Sequence, residues 1–115
     1  MKISKYFTKE EIACKCGCGF AEMNPATLAI ADKAREFVGY SITPSSGCRC
    51  EKHNSKVGGE KNSYHVKGMA MDLPVKNPEH LYEYLCKEYP DSCGFGLYDT
   101  FVHVDCRTKK ARWSK

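Results

Sequence analysis

The sequence predicts one small domain, spanning residues 1–115, that mixes helices with strands. Three observations carry this expectation. A chain of 115 residues suits a single modest core. Two stretches, 24–38 and 78–89, place apolar side chains at helical spacing behind residues that cap helices. Three further stretches, 70–75, 94–98 and 100–105, read as short strands.

The elements follow in order. Residues 7–12 form a short helix start, with Thr8 as cap and Glu11, three residues on, as its capping-box partner. A cysteine-glycine knot comes next, Cys14-Lys15-Cys16-Gly17-Cys18-Gly19. Over 24–38, Asn24 caps, Pro25 takes the first helical position, and Leu28, Ala31, Ala34 and Val38 recur at helical spacing until Gly39. Tyr40-Ser41-Ile42-Thr43 reads as a short strand. Residues 44–64, rich in Pro, Ser, Gly, Lys and Asn, read as a long loop, a feature that in a compact domain is often functional. Ala70 to Val75 reads as a strand ended by Pro74. Over 78–89, Asn77 caps a helix with Leu81, Leu85 and Tyr89 on one face. Gly94–Tyr98 and Thr100–Asp105 give two strands or one broken strand, and a basic tail holding Trp113 follows. No repeat, linker or second domain is apparent.

Composition narrows the function. The formal net charge is +4, from 18 basic and 14 acidic side chains. That mild excess favours approach to an anionic polymer such as a cell wall, but no basic run or stacking-aromatic pattern points to nucleic acid. No stretch is long and apolar enough to span a membrane. Met1-Lys2-Ile3-Ser4-Lys5 runs into polar residues without an apolar signal region, so synthesis in the cytoplasm without a signal peptide is expected. Any exit then needs lysis, a partner machine or an unconventional route. Eight cysteines are many for this length; disulfides and metal binding compete to explain them.

One constellation carries chemistry. Residues 65–72 contain His-x-x-Gly-x-Ala-x-Asp, with His65 at the loop end and Asp72 inside the next strand. Gly68 permits a turn that returns the strand beneath the histidine, and Ala70 leaves room. In Phe101-Val102-His103-Val104-Asp105, strand alternation puts His103 and Asp105 on one face and the two valines on the other. His65, Asp72 and His103 make three protein ligands, and zinc takes both imidazole nitrogen and carboxylate oxygen. A fourth position is left for water, as in a catalytic site rather than a closed structural one. His53 and His80 carry no such pattern.

Taken together, these stretches resemble a known family. Ser46-Gly47-Cys48-Arg49-Cys50, His53-Asn54, Val57-Gly58-Gly59, Asn62-Ser63-x-His65-x-x-Gly68-x-Ala70-x-Asp72, Gly96-x-Tyr98, Phe101 to Arg107 and Arg112-Trp113 resemble the zinc D-alanyl-D-alanine carboxypeptidases. The closest branch is that of small single-domain members from phages and bacteria, and the zinc site is similar to that of Hedgehog domains. The resemblance implies an α+β fold in which an antiparallel sheet, flanked by helices, carries Zn2+. It implies ligand roles for His65, Asp72 and His103, and a substrate or transition-state contact for Arg49, as suits a guanidinium. It implies peptidoglycan stem peptides as substrate, with action at the wall after lysis or export, from a chain that is a monomer and of prophage or bacterial origin.

The general base is less determined. Several branches place an acid three residues before the last histidine, where this chain has Thr100. Asp105 is the replacement, either as the base or as a hydrogen-bonding support for His103 or Arg49; Asp99 is the reserve. Among the cysteines, Cys48 and Cys106 depart from the family pattern beside site residues, and a Cys48–Cys106 disulfide is expected, with a Cys86–Cys93 bridge beside it. Cys14, Cys16, Cys18 and Cys50 are typical of the branch and fit either disulfides or a second, structural zinc. Two functional alternatives stand beside an endopeptidase: a carboxypeptidase removing terminal D-alanine, and a zinc-bearing module without catalysis, such as a phage tail component.

Overall fold

A computed structural model describes residues 2–115. Thr8 caps α1 (Lys9–Ile12) through the reciprocal Thr8–Glu11 capping box that the sequence predicts. Asn24 caps α2 (Pro25–Val38) by accepting from the Ala26 amide, and Gly39 closes it with φ 78°. Then come α3 (Glu51–Lys56), β1 (Ala70–Pro74), α4 (Pro78–Glu88), β2 (Gly94–Leu97), β3 (Phe101–Asp105) and β4 (Ala111–Ser114).

The sheet runs β1-β3-β2-β4. β3 is antiparallel to both β1 and β2, whereas β4 pairs with β2 in parallel. The α+β class holds, but the sheet is mixed rather than purely antiparallel. Two further expectations change. Residues 40–43 form no strand: Ile42 is buried between exposed Ser41 and Thr43, which imitates strand alternation, yet the nearby sheet contact is a single bridge, Ser46 to Asp72. The long loop contains α3, whose cap is the sulfur of Cys50 accepting from the His53 amide.

Helices α2 and α4 cover one face of the sheet and pack on each other. Met71, Leu73, Phe95, Val102 and Val104 point into that layer and meet Leu28, Ile30, Leu81 and Leu85. Burying a Leu or Ile of this kind contributes about 1.5–3 kcal/mol. Truncating Leu85, which has no exposed surface, to Ala would cost about 2–5 kcal/mol. Arg112 lies over the Phe95 ring and donates to the carbonyls of Tyr89, Ser92 and Cys93, so it closes the exit of α4 and fixes β4 against the sheet. Among the described residues, no helix is long and apolar enough to cross a membrane.

Candidate metal centre

Strand alternation leaves the other face of the sheet for polar chemistry. One row across it reads Asp72, His103, Gly96, Trp113, each directly opposite the next. The adjacent row reads Ala70, Asp105, Gly94, Ala111. The small residues are spaces. A side chain at Gly96 would collide with the Trp113 indole, and one at Gly94 with the Asp105 carboxylate and Arg107. Gly96 thus lets Trp113 lean over to His103, with ring centres 5.1 Å apart.

His65 reaches the same point from the loop. Gly68 turns the chain at φ 69°, where any side chain would strike the Glu22 carbonyl. His65 Nδ1 lies 2.7 Å from the Gly47 carbonyl, an acceptor, so Nδ1 donates there and Nε2 is the ring nitrogen turned toward the site. That Nε2 is 3.3 Å from Asp72 Oδ1. His103 is arranged in reverse: Nε2 donates to Asp105 Oδ2 at 2.8 Å, and Nδ1 faces Asp72 Oδ1 at 3.1 Å. The donor atoms of His65, Asp72 and His103 all lie within 4.8 Å of one another. Each histidine is held from behind by an oxygen on one ring nitrogen, which turns the other inward onto Asp72, where an ion could replace its proton, the arrangement of metal-binding imidazoles. Two imidazoles and a carboxylate are a donor set that suits zinc.

Electrostatics follow from these contacts. Burial raises the Asp72 carboxyl, but bonds to His103 and His65 outweigh it and hold the group well below the usual carboxylate range. Burial lowers His103, yet Asp105 and Asp72 prevail and raise it. Asp105, also desolvated, is held low by Arg107 and then by His103.

Arg49 stands beside the ligands. Its Nε donates to Ser46 Oγ and its Nη1 to Asn54 Oδ1, both at 3.0 Å, while Nη2 is 3.6 Å from Asp72 Oδ2. Asp105 takes a different position. It has no exposed surface, and Arg107 grips it through Nε at 2.8 Å, Nη2 at 2.7 Å and its own amide at 3.1 Å. It sits behind His103 and does not line the cleft. Asp99 is exposed and faces a neighbouring hollow with Lys76, Asn77 and Ser114.

The cleft itself encloses about 540 Å³. Glu60 is the residue the sequence reading passed over: besides Asp72, it is the one side-chain carboxylate lining the cleft among the described residues. No sequence signal marks it, because it is an ordinary acid in a polar loop. Trp113, Tyr98 and Tyr64 also line the cleft. Trp113 Nε1 donates to the Tyr98 hydroxyl at 3.1 Å, and the Arg107 guanidinium lies 4.2 Å from the Tyr64 ring centre.

All eight cysteines are free in the structure, which contains neither expected bridge. Cys48 is turned into the core, where its sulfur donates to the Glu22 carbonyl and burial pushes the thiol up to about 11. Cys106 leaves the end of β3 with its amide bound to the Met69 carbonyl. Cys86 stays on α4, and the Cys93 sulfur lies 3.6 Å from the Ser92 hydroxyl. Cys14, Cys16, Cys18 and Cys50 do come together. His53 and His80 join neither cluster.

The family model described as Peptidase M15 matches residues 5–105, a span that takes in every donor of the cleft centre. No curated protein matches the chain. With a family model covering most of its length, this chain belongs to the M15 peptidase family.

Proposed function

We propose that the chain is a zinc-dependent peptidase that hydrolyses peptide bonds in the stem peptides of peptidoglycan, reaching the wall after lysis or export. One observation carries this reading: His65 Nε2, His103 Nδ1 and Asp72 Oδ1 converge on the cleft, and both histidines are anchored from behind. These three residues would hold the ion. When bound, zinc supplies a Lewis acid for the scissile carbonyl and an acidified water.

The remaining parts are the chain's own. Arg49, fixed by Ser46 and Asn54, presents Nη2 to a substrate carboxylate or a developing oxyanion. Lys61, Arg107 and Lys115 also line the cleft, which suits a peptide bearing free carboxylates. Glu60, the other acidic side chain lining the cleft, would take a proton from water and pass it to the leaving amine. Asp105 does not exchange protons: with Arg107 and His103 on its oxygens it holds the His103 tautomer.

Purified peptidoglycan digested with the protein and read by mass spectrometry tests the proposal. Free D-alanine identifies a carboxypeptidase, and internal stem cleavage an endopeptidase. Absence of product from zinc-loaded protein leaves only the binding module. His65→Ala and His103→Ala should each abolish hydrolysis together with the cleft ion; full activity in a His103→Ala variant lacking that ion would sink the mechanism.

A further inference from the structure

A second cluster of soft donors lies outside the cleft, and the peptidase reading does not use it. Cys14, Cys16 and Cys18 come from the loop after α1, and Cys50 from the residue before α3. Their four sulfur atoms lie within 4.8 Å of one another. The separations are 3.4 Å for Cys14–Cys16, 3.6 Å for Cys16–Cys50 and 3.9 Å for Cys14–Cys50. A disulfide brings its sulfurs to about 2.05 Å. A tetrahedral ion with metal–sulfur bonds of about 2.3 Å sets its sulfurs about 3.8 Å apart. These three spacings lie near the edge of such a tetrahedron, and Cys18 Sγ stands within 4.8 Å of the other three sulfurs.

The backbone around the sulfurs is arranged for thiolates. The Cys50 amide donates to Cys14 Sγ and the His53 amide to Cys50 Sγ, each at 3.4 Å. Amides aimed at sulfur stabilise the negative charge that gathers on thiolate ligands. The loop also closes on itself. Cys14 N–H binds the Phe20 carbonyl at 2.8 Å, and Gly17 N–H binds the Cys14 carbonyl at 3.3 Å. Gly17 and Gly19 take φ of 82° and 93°, which lets alternate residues of a tight turn point to one centre. Cys14 is buried and Cys16 and Cys18 are exposed, so the centre lies at the surface with an open route for loading.

We propose that Cys14, Cys16, Cys18 and Cys50 form a structural zinc site of four thiolates, separate from the cleft. Loading replaces the thiol protons, which leave to solvent, and no oxidant is needed. The site clasps the loop after α1 to the segment that supports the cleft. Cys50 follows Arg49 directly, and Gly47, whose carbonyl holds His65, lies three residues before it. The same segment already touches α1, since Cys48 N–H binds the Ile12 carbonyl at 2.8 Å. A Gly47 side chain would clash with the Ile12 backbone. A closed thiolate site suits this role because it has no open position for substrate.

The test is the metal content of the full chain, purified under reducing conditions, and of two variants. The wild type should carry about two zinc ions per chain. Cys16→Ser/Cys50→Ser and His65→Ala/His103→Ala should each carry about one. Cobalt(II) in the wild type should give thiolate-to-cobalt charge-transfer absorption, which needs no variant to fold. The histidine variant should keep that absorption. Zinc content unchanged by Cys16→Ser/Cys50→Ser, absence of the thiolate–cobalt signal, an iron–sulfur chromophore, or an intact mass short of hydrogens by disulfide formation would each overturn the proposal. The two sites fail separately: a chain with the thiolate signal and no hydrolysis keeps this inference and removes the peptidase reading.

Discussion

Asp105→Asn separates a proton-handling role from a positioning one. Asp105 has no exposed surface and accepts from His103 Nε2, from Arg107 Nε and Nη2, and from the Arg107 amide. An asparagine keeps one acceptor oxygen and turns an NH2 toward either Arg107 or His103, setting donor against donor. Removing one charge from a buried pair costs about 3–5 kcal/mol. The Arg107 side chain is 22% exposed and recovers some solvation, so the lower figure, about 3 kcal/mol, applies. With a urea slope of about 1–3 kcal/mol/M, the metal-free midpoint should fall by about 1–3 M. His103 also loses the partner that fixes its tautomer, which should weaken zinc binding about 10–100-fold. Urea titration of metal-stripped protein and competition with a zinc chelator measure the two effects, and excess zinc should restore much of the hydrolysis. An Asp105→Asn variant with unchanged midpoint and zinc affinity, yet with hydrolysis lost, would refute this reasoning and make Asp105 the base.

Glu60→Gln should lower kcat by about 10²–10⁴ while leaving zinc content intact; an unchanged kcat removes Glu60 from the mechanism. Gly96→Ala should cost about 1–3 kcal/mol by pushing the added methyl into Trp113, and should weaken zinc binding, as thermal melting with and without metal would read. Metal-stripped protein should lose stability in both pH directions. Asp72 and Asp105 are held below the ordinary 3.8, so their contribution is present above that value and lost as pH falls further. His103 is raised above 6.5, so its contribution is present below that value and lost as pH climbs through its folded pKa. Urea midpoints across pH should peak between the two windows, and a flat profile contradicts the ion-pair network.

Locally encoded features were legible in the sequence. The Thr8–Glu11 box, the Asn24-Pro25 start and the Gly39 stop of α2 depend on residues within a turn of one another. So did the facing of β3, because alternation alone puts Val102 and Val104 in the core and His103 in the cleft. What escaped depends on distant partners. β4 is four residues long and pairs with a strand seventeen positions upstream, which nothing in Ala-Arg-Trp-Ser announces. α3 is capped by a sulfur rather than by a usual oxygen. The spacing that groups His65, Asp72 and His103 was readable. Whether Asp105 faced the cleft or the back of His103 was not, because both positions lie on one strand face and Arg107 decides between them.

Trp113 gives the molecule a property that its chemistry does not require. It is the sole tryptophan, and its ring lies 5.1 Å from that of His103 with its N–H on Tyr98. Indole emission is sensitive to a nearby imidazolium and to the loss of a hydrogen bond. All tryptophan fluorescence from the unlabelled chain therefore originates at the floor of the cleft. Loss of the ion, protonation of His103 and detachment of β4 should each alter its intensity or wavelength, while circular dichroism follows the helices independently. An ion held in the cleft would thus be reported by the protein's own fluorescence, and its release could be timed against unfolding in a single sample.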